Sequence, residues 1–450
     1  MSRLKPVAVL LMATALSACA RYPVNEPLDA LEPAREQAPV DANGSSPHLL
    51  MVLTFSGGGT RAAALAYGAL ETLGQTNLAG YNGGRRLLDE VDVISSVSGG
   101  SFTAAYYGVF GERIFGDFEP RFLKRNVQGA LSWRVFWPSN WWRLSSGRYN
   151  RSELAADYYD SHIFDGAVFA DIRANGGPEI HINATDMTRG TPFAFSQEQF
   201  DLMCSRLSAF PVSRAVAASA AVPVVFSDIV LRNHAGRCEY ETPQWIARTI
   251  ASNAYPRRSH QAGRILSYLD ATDRPYVHLI DGGVADNLGV RSAMHAINLT
   301  GTSLGPSPRI DSNEVQRIVF VVVNAETTPD AIVDTNGREP PLAQTVKSAT
   351  DIQVNRYNFE TLLLLRQYLT AWRERARLRL CGGIDCEQVD YYVIEVTFEA
   401  LATPQRRFFR TLPTSLKLPA ATVDELTRAA DGILRGSPEF QRLRRDLSQQ

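Results

Sequence analysis

Apolar residues occur along the chain in short continuous runs and in longer runs at helical spacing. Runs such as Leu49–Phe55 and Ile318–Val323 lack polar alternation, which is typical of strands covered on both faces. Helical runs follow most of the strands, and this order predicts a mostly parallel sheet flanked by helices. The predicted strands are Leu49–Phe55, Val91–Val97, Glu179–Ala184, Tyr276–Ile280, Ile318–Val323 and Tyr391–Thr397.

Three later segments complete the predicted organisation. The apolar residues of Leu342–Leu378 fall on one stripe of a long helix, which favours packing on the core over a coiled-coil dimer. A capping box formed by Thr422 and Glu425 predicts the start of a last helix. Residues 235–275 show no clear period and are predicted to form an irregular insertion.

The N-terminus has the features of an export signal. Two basic residues precede the apolar run Val7–Leu16, which is shorter than the roughly 20 residues that span a bilayer. The run ends in Leu-Ser-Ala-Cys at residues 16–19, which resembles a bacterial lipoprotein signal, and a plain secretory signal cut nearby is the alternative. We therefore expect removal of residues 1–18 and acylation of Cys19. Because no aspartate follows Cys19, the expected location is the outer membrane of a bacterial cell envelope, facing the periplasm.

Composition separates a tether from the folded body and excludes some functions. Residues 19–47 are rich in proline, alanine and acidic side chains, which predicts a disordered tether. The whole chain has 46 basic and 47 acidic residues, so no basic field indicates a nucleic-acid partner. No C-x-x-C pair, H-E-x-x-H motif or calcium loop occurs, so we expect no metal and no cofactor.

Besides Cys19 the chain has four cysteines, which an exported protein can keep as disulfides. Four cysteines allow three pairings. Proximity favours Cys381–Cys386 across a tight glycine loop, and this leaves Cys204–Cys238. Four free buried thiols are the alternative.

The first segment with candidate chemistry is Ser56–Arg61, in which Gly57, Gly58 and Gly59 lie between a predicted strand and a predicted helix. Backbone N–H groups at a helix N-terminus suit an oxyanion or a phosphate. A dinucleotide-binding loop is the rival interpretation. It requires an acidic residue at the end of the next strand, but that strand ends in Ile-Ser-Ser-Val at residues 94–97.

Two further segments lie at predicted strand ends, where α/β proteins place their chemistry. Ser98 lies between Ser96 and Gly100, and small residues at these positions define a nucleophile elbow. A serine- and glycine-rich turn without chemistry is the alternative. Asp281 directly follows a predicted strand and precedes two glycines. Capping of the next helix suits Asp286 better than Asp281.

In this order, the glycine loop, the serine elbow and the Asp-Gly-Gly turn resemble the patatin-like phospholipase family over about residues 49–290. Ser213–Pro223 also resembles that family's helix leading to a buried proline turn. Ser96 and Ala62 stand where the family commonly has glycine. We accordingly expect a patatin-like catalytic domain at residues 48–330, with residues 331–450 forming a helical and strand extension packed on it.

The resemblance implies a three-layer α/β/α sandwich and a serine acyl hydrolase of the phospholipase A or lysophospholipase type. Membrane lipids would be its substrate, and catalysis would pass through an acyl-enzyme without histidine. The implied roles are Ser98 as nucleophile, Asp281 as base, the amides of Gly57, Gly58 and Gly59 as oxyanion hole, and Arg61 as support of that loop or contact to a phosphate. An aspartate is a poor base unless it is desolvated, so Asp281 is expected to be buried.

Two other functions remain open from the sequence. An α/β-hydrolase triad could use Ser98, Asp281 and His295, although His295 lies in an apolar helical run and His278 lies within a strand. A lipid-binding lipoprotein could have kept the fold without the activity.

Four of the six tryptophans fall within ten residues, close to several arginines. Tryptophan together with basic residues is typical of a membrane interface, and an aromatic cluster covering the core is the alternative. The residues are Trp133, Trp137, Trp141 and Trp142, with Arg134, Arg143 and Arg148.

Overall fold

The computed structural model describes residues 25–31, 44–78, 81–146, 149–223, 225–252, 256–299, 314–327, 342–382 and 386–449. The predicted signal, Cys19 and Arg148 lie outside these ranges.

One mixed sheet of eight strands organises the fold. Its hydrogen-bonded neighbours follow the path β5-β6-β3-β2-β1-β7-β8, and β4 also pairs with β3. The ladders that join β3, β2, β1, β7 and β8 are parallel, whereas those of β4, β5 and β6 are antiparallel. The strands are β1 Leu49–Phe55, β2 Val91–Val97, β3 Glu179–Asp186, β4 Thr191–Phe195, β5 Ile229–Arg232, β6 Tyr276–Asp281, β7 Arg317–Asn324 and β8 Asp390–Thr397. The six strands predicted from the sequence are therefore confirmed, while the short strands β4 and β5 were not predicted.

Helices fill the connections between strands. In the first half of the chain they are α1 Gly59–Gly74, α2 Gly99–Phe110, α3 Ile114–Phe118, α4 Val127–Phe136, α5 Pro138–Leu144, α6 Arg151–Tyr159, α7 Phe169–Ala174, α8 Gln197–Leu202 and α9 Val212–Ser219. In the second half they are α10 Gln244–Ser252, α11 Pro256–Leu266, α12 Gly283–Asp286, α13 Val290–Ala296, α14 Leu342–Cys381, α15 Thr403–Arg410, α16 Ala420–Gly436 and α17 Pro438–Ser448.

The strand β1 shows why its apolar run has no polar alternation, since both of its faces are buried. The side chains of Leu49, Met51, Leu53 and Phe55 join a core with α1, α2 and α16. Leu50 and Val52 point the other way and join a second core with α13 and α14. One sheet between two helical layers confirms the predicted three-layer α/β/α architecture.

The C-terminal part of the chain completes this sheet as well as packing on it. Along its whole length β8 pairs in parallel with β7, from Asp390 opposite Arg317 to Thr397 opposite Asn324. The helix α16 packs on α1 so closely that a Cβ atom on Gly68 would lie 2.5 Å from the carbonyl oxygen of Thr427. The predicted extension therefore shares one core with the predicted catalytic domain.

Two local predictions in the second half of the chain were wrong. The helix predicted to begin at Thr422 is α16, which begins at Ala420 after Pro419 and is followed by α17, so Thr422 lies inside the first turn and forms no cap. Residues 235–275 are not irregular throughout, since they contain the helices α10 and α11. Their apolar positions are sparse, but the side chains of Ile246 and Ile265 are buried.

The predicted tether is in part attached to the body, contrary to the expectation of disorder over residues 19–47. Leu28 is buried against Cys204 and Cys238, and its N–H donates to the Cys204 carbonyl oxygen at 2.7 Å. The side chain of Asn25 donates to the Ser205 hydroxyl at 2.6 Å. Leu28 and Asn25 thus attach residues 25–31 to the body. The polar composition of the tether does not predict this attachment.

The four cysteines outside the signal form two disulfides in the structure. Cys204 is joined to Cys238, and Cys381 is joined to Cys386. The first disulfide forms part of the surface that receives Leu28. The second follows the end of the long helix α14.

Candidate active site

The ends of β2 and β6 meet on one edge of β3. The parallel ladder of β2 ends with Val97 opposite Asn183, and the antiparallel ladder of β6 ends with Asp281 opposite Ala184. Since β4 occupies the other edge of β3, β2 and β6 approach along the same edge from opposite directions. The residue after Val97 is therefore brought next to Asp281.

That residue, Ser98, lies on a strained turn between β2 and α2. Its backbone φ is 50° and its ψ is −117°, a conformation that is unfavourable for a non-glycine residue. The turn has the geometry of a nucleophile elbow and presents the side chain to Asp281. The Ser98 Oγ donates a hydrogen bond to the Asp281 Oδ2 at 2.7 Å.

The carboxylate of Asp281 is buried, with 7% of the residue exposed. Burial raises the pKa of Asp281 to about 6, and the hydrogen bonds from Ser98 and from the Gly283 N–H act against that rise. The Gly283 bond is 2.8 Å long and ends on Oδ1, so each carboxylate oxygen has one donor. A desolvated carboxylate of this kind is what a base for a serine hydroxyl requires.

The end of α9 holds both residues in place. The Ser98 N–H donates to the Ser219 Oγ at 2.8 Å, and that hydroxyl donates to the Asn183 carbonyl oxygen at 2.5 Å. The N–H of Asp281 donates to the carbonyl oxygen of Ala221 at 2.9 Å. This segment follows the predicted Ser213–Pro223 pattern, except that Pro223 is exposed and the predicted buried proline turn is wrong.

The glycine loop brings the N-termini of α1 and α2 together. A Cβ atom on Gly99 would lie 2.1 Å from the carbonyl oxygen of Gly59, so the two backbones are in direct contact. Gly58 and Gly59 have φ values of 141° and 60°, which favour glycine. The positive ends of two helices therefore converge beside Ser98.

One predicted oxyanion donor is wrong. The N–H of Gly57 donates to the carbonyl oxygen of Asn287 at 3.1 Å and is therefore occupied. A Cβ atom on Gly57 would lie 2.7 Å from the Asn287 Oδ1, so this glycine instead makes room for the asparagine. Gly58 and Gly59 remain the predicted donors.

Arg61 supports the glycine loop from behind. Its buried guanidinium donates to the carbonyl oxygens of Ala325, at 2.9 Å, and Leu412, at 2.6 Å. Close by, the N–H of Thr60 donates to the Ser415 carbonyl oxygen at 2.8 Å. These contacts correspond to the predicted role of Arg61 as a support of the glycine loop. They also attach the loop to the C-terminal part of the chain.

The histidines proposed for a triad are engaged elsewhere. The ring of His295 lies 2.7 Å from the Gln261 Nε2, and burial lowers the pKa of His295 to about 4. The Nδ1 of His278 lies 2.5 Å from an Asp228 carboxylate oxygen. Because Ser98 bonds directly to the carboxylate of Asp281, no imidazole stands between them.

Sequence reasoning did not single out three residues that position the pair. Ser219 lies within the Ser213–Pro223 segment, and Asn287 lies shortly after the Asp-Gly-Gly turn. Both residues could therefore have been found from the motifs that contain or adjoin them. Thr185 had no such signal. Its hydroxyl donates to the carbonyl oxygen of Asp281 at 2.8 Å from the neighbouring strand β3.

The family model for patatin-like phospholipases matches residues 53–294 of this chain, a range that contains the glycine loop, Ser98 and Asp281. The chain belongs to the patatin-like phospholipase family. The resemblance seen in the sequence is thereby confirmed, and membership supports lipid acyl hydrolase activity.

Solved structures of human GIVD cytosolic phospholipase A2 are similar to this chain at 13% identity. The protein alone has a TM-score of 0.47, its complex with methyl gamma-linolenyl fluorophosphonate 0.46, and the complex that also contains terbium chloride 0.44. The similarity covers 93% of this chain and 67%, 64% and 64% of those chains, so this chain spans about two thirds of their length. A comparison with curated protein sequences gave no match.

Proposed function

We propose that the protein is a serine acyl hydrolase of the phospholipase A or lysophospholipase type, which cleaves fatty-acyl esters of membrane lipids. The observation that carries this proposal is the 2.7 Å hydrogen bond from the Ser98 Oγ to the buried carboxylate of Asp281. It occurs beside a glycine loop, in a chain of the patatin-like phospholipase family.

In the proposed mechanism, Asp281 takes the proton of the Ser98 hydroxyl while Oγ attacks the acyl carbonyl carbon. The negative charge on the carbonyl oxygen is stabilised by the amides of Gly58 and Gly59. The intermediate then expels the alcohol, which receives the proton from Asp281, and the acyl group stays on Ser98. Water activated by Asp281 releases the fatty acid and restores the serine.

The electrostatics of the site support this sequence of steps. A carboxylate with a pKa of about 6 is mostly ionised at neutral pH and still binds a proton better than an exposed aspartate does. The rest of the barrier must be lowered by donors fixed at the oxyanion. Each such donor contributes roughly 10²–10³ in rate, so the two amides are an essential part of the proposal.

A fluorophosphonate probe tests this function directly, because it reacts with activated serine hydroxyls. We expect the probe to label the wild-type protein on Ser98, and phospholipid incubated with the protein to release fatty acid. The Ser98→Ala variant should give neither signal, and Ser448→Ala, which changes an exposed serine near the C-terminus, should keep the label. An unlabelled, inactive wild-type protein would instead favour a lipid-binding lipoprotein.

We also propose that the protein is exported and attached to the cell envelope through an acylated Cys19. The Leu-Ser-Ala-Cys sequence at residues 16–19 supports this proposal. Cells supplied with a fatty-acid analogue should label the wild-type protein and a Cys381→Ser control, but not the Cys19→Ser variant. Label that persists in Cys19→Ser would refute the lipid anchor without affecting the proposed hydrolase activity.

A further inference from the structure

Two consecutive helices, α4 and α5, expose large aromatic side chains. The exposed fractions are 65% for Trp133, 73% for Phe136, 48% for Trp137, 58% for Trp141 and 76% for Trp142. We call these five residues the aromatic patch. The core side of α4 is formed by other residues, since Val127 and Leu131 are buried. The sequence alternative, in which the tryptophans cover the core, is therefore wrong.

We propose that the aromatic patch docks on the surface of a lipid bilayer. Tryptophan side chains prefer the boundary between headgroups and hydrocarbon, where one end of the ring is wet and the other is apolar. The two helices have 10 and 7 residues, well short of the roughly 20 that cross a bilayer. In the described part of the chain, no helix is long and apolar enough to cross a membrane. Docking would therefore leave α4 and α5 in the plane of the interface.

The charge around the aromatic patch suits an anionic bilayer. From Arg125 to Tyr149 the sequence contains four arginines and no acidic residue. Two of these arginines are held at the base of the patch by the body of the protein. Arg134 lies 4.9 Å from the centre of the Tyr158 ring, and Arg143 pairs with Asp157 at 2.8 Å. Asp157 offsets the charge of Arg143, so the attraction to negatively charged headgroups comes from the other arginines of this segment.

The helix α4, which carries part of the patch, is linked to the glycine loop through the C-terminal part of the chain. The N–H of Gln128, in the first turn of α4, donates to the Leu416 carbonyl oxygen at 3.2 Å. The preceding residue, Ser415, accepts the N–H of Thr60 at the glycine loop. The patch is thus carried by a helix that is connected to the loop proposed to act on lipid esters, and this connection favours a bilayer over a second copy of the chain as the occupant.

The attached N-terminal segment limits how far the body can move from a membrane anchor. Because residues 25–31 are held on the body, only six residue steps separate Asn25 from Cys19. Fully extended, they span about 20 Å. If Cys19 is acylated as proposed, Asn25 stays within about that distance of the bilayer, which raises the effective concentration of the body at the membrane surface.

The test measures vesicle binding without hydrolysis and without an acyl anchor. All compared proteins therefore carry Ser98→Ala, which removes the proposed nucleophile, and Cys19→Ser, which removes the proposed acylation site. Flotation with vesicles of phosphatidylcholine and phosphatidylglycerol gives the partition coefficient. The added pair Trp141→Ala and Trp142→Ala should lower it about tenfold or more, because two interfacial aromatic side chains are lost. The matched control pair is Phe359→Ala and Leu378→Ala on α14, which are 64% and 60% exposed and should leave it unchanged.

The melting temperature and the sedimentation coefficient are measured on the same proteins. Loss of vesicle binding at unchanged melting temperature supports the proposal. Equal losses of vesicle binding in the tryptophan variant and in the control variant would overturn it. Full vesicle binding by the variant with Trp141→Ala and Trp142→Ala would also overturn it. If the protein with the native aromatic patch is a dimer that the Trp141→Ala and Trp142→Ala changes convert to a monomer, with vesicle binding unchanged, the patch would be assigned to self-association instead. Since no readout depends on turnover, failure of the proposed hydrolase activity cannot imitate any of these results.

Discussion

Replacement of Asp281 by asparagine is expected to lower kcat/KM for acyl esters by about 10³-fold or more, because the amide cannot accept the serine proton. Ser98→Ala should lower it further, since the nucleophile itself is lost. Both changes are nearly isosteric, and the backbone contacts of Ser98 to Ser219 and of Asp281 to Ala221 do not involve the altered atoms. Circular dichroism and melting temperature should therefore stay close to wild type while hydrolysis of a soluble ester disappears.

Asp286→Asn is the matched control for Asp281→Asn. Asp286 lies five residues further on, is equally buried, and also has a pKa raised by burial to about 6. Its carboxylate accepts the Ser292 N–H at 3.0 Å and so caps the first turn of α13. This variant should keep most of the activity. If His295→Gln abolished turnover while Asp281→Asn retained it, a histidine triad would replace the proposed pair.

The pH profile gives a second readout of the same prediction. Below a pH of about 6 the Asp281 carboxyl becomes protonated and cannot act as a base, so kcat/KM should fall with decreasing pH. Asp286→Asn should keep this inflection, because the second carboxyl with a raised pKa takes no part in catalysis. A profile that is flat from about pH 5 to 8 would contradict the assignment of Asp281 as the base.

The chemistry of the site could be predicted because each of its three segments is local in sequence. The glycine loop and Ser98 each directly follow a strand and Asp281 is the last residue of one, and short apolar runs define those strands well. The parallel part of the sheet followed from the same runs. The family model covers all three segments, and it shows a membership that no single segment could establish.

The way the segments meet could not be predicted, because it depends on pairing between distant strands. The sequence does not reveal that β6 runs antiparallel to β3, and a shift of that ladder would carry Asp281 away from Ser98. The Gly57 amide was assigned wrongly for a similar reason, since its acceptor is a backbone oxygen from a distant loop. Ser415 carries no chemical signal at all, because only its backbone contacts the glycine loop.

The structure gives a second reason for the small residue two positions after Ser98. A nucleophile elbow requires small neighbours so that a substrate carbonyl can approach. Here a Cβ atom on Gly100 would lie 2.7 Å from the Cβ of Phe55 and 2.8 Å from the Ser56 carbonyl oxygen. The glycine at this position therefore allows α2 to pack against the end of β1, whatever the substrate requires.

Gly99→Ala is expected to damage both the site and the fold. The new Cβ atom would lie 2.1 Å from the carbonyl oxygen and 2.5 Å from the nitrogen of Gly59. Both are backbone atoms, so a rotamer change cannot relieve the clash, and the N-termini of α1 and α2 must move apart. The movement separates the Gly58 and Gly59 amides from Ser98, and loss of two oxyanion donors would lower kcat by about 10⁴-fold or more. Overpacking of this kind also costs about 1–3 kcal/mol of the free energy of unfolding.

The control for Gly99→Ala is Gly116→Ala, at a helical glycine in α3 with no other atom within 4 Å of the added Cβ. It should leave kcat unchanged and raise the free energy of unfolding slightly, since alanine favours a helix by about 1 kcal/mol. Urea unfolding and hydrolysis of a soluble ester are measured on both variants. The Ser98 and Asp281 side chains are intact in Gly99→Ala, so a large fall in kcat would show that the distance between the elbow and the glycine loop is essential for catalysis. A Gly99→Ala protein with wild-type kcat would mean that the oxyanion donors lie elsewhere than at Gly58 and Gly59.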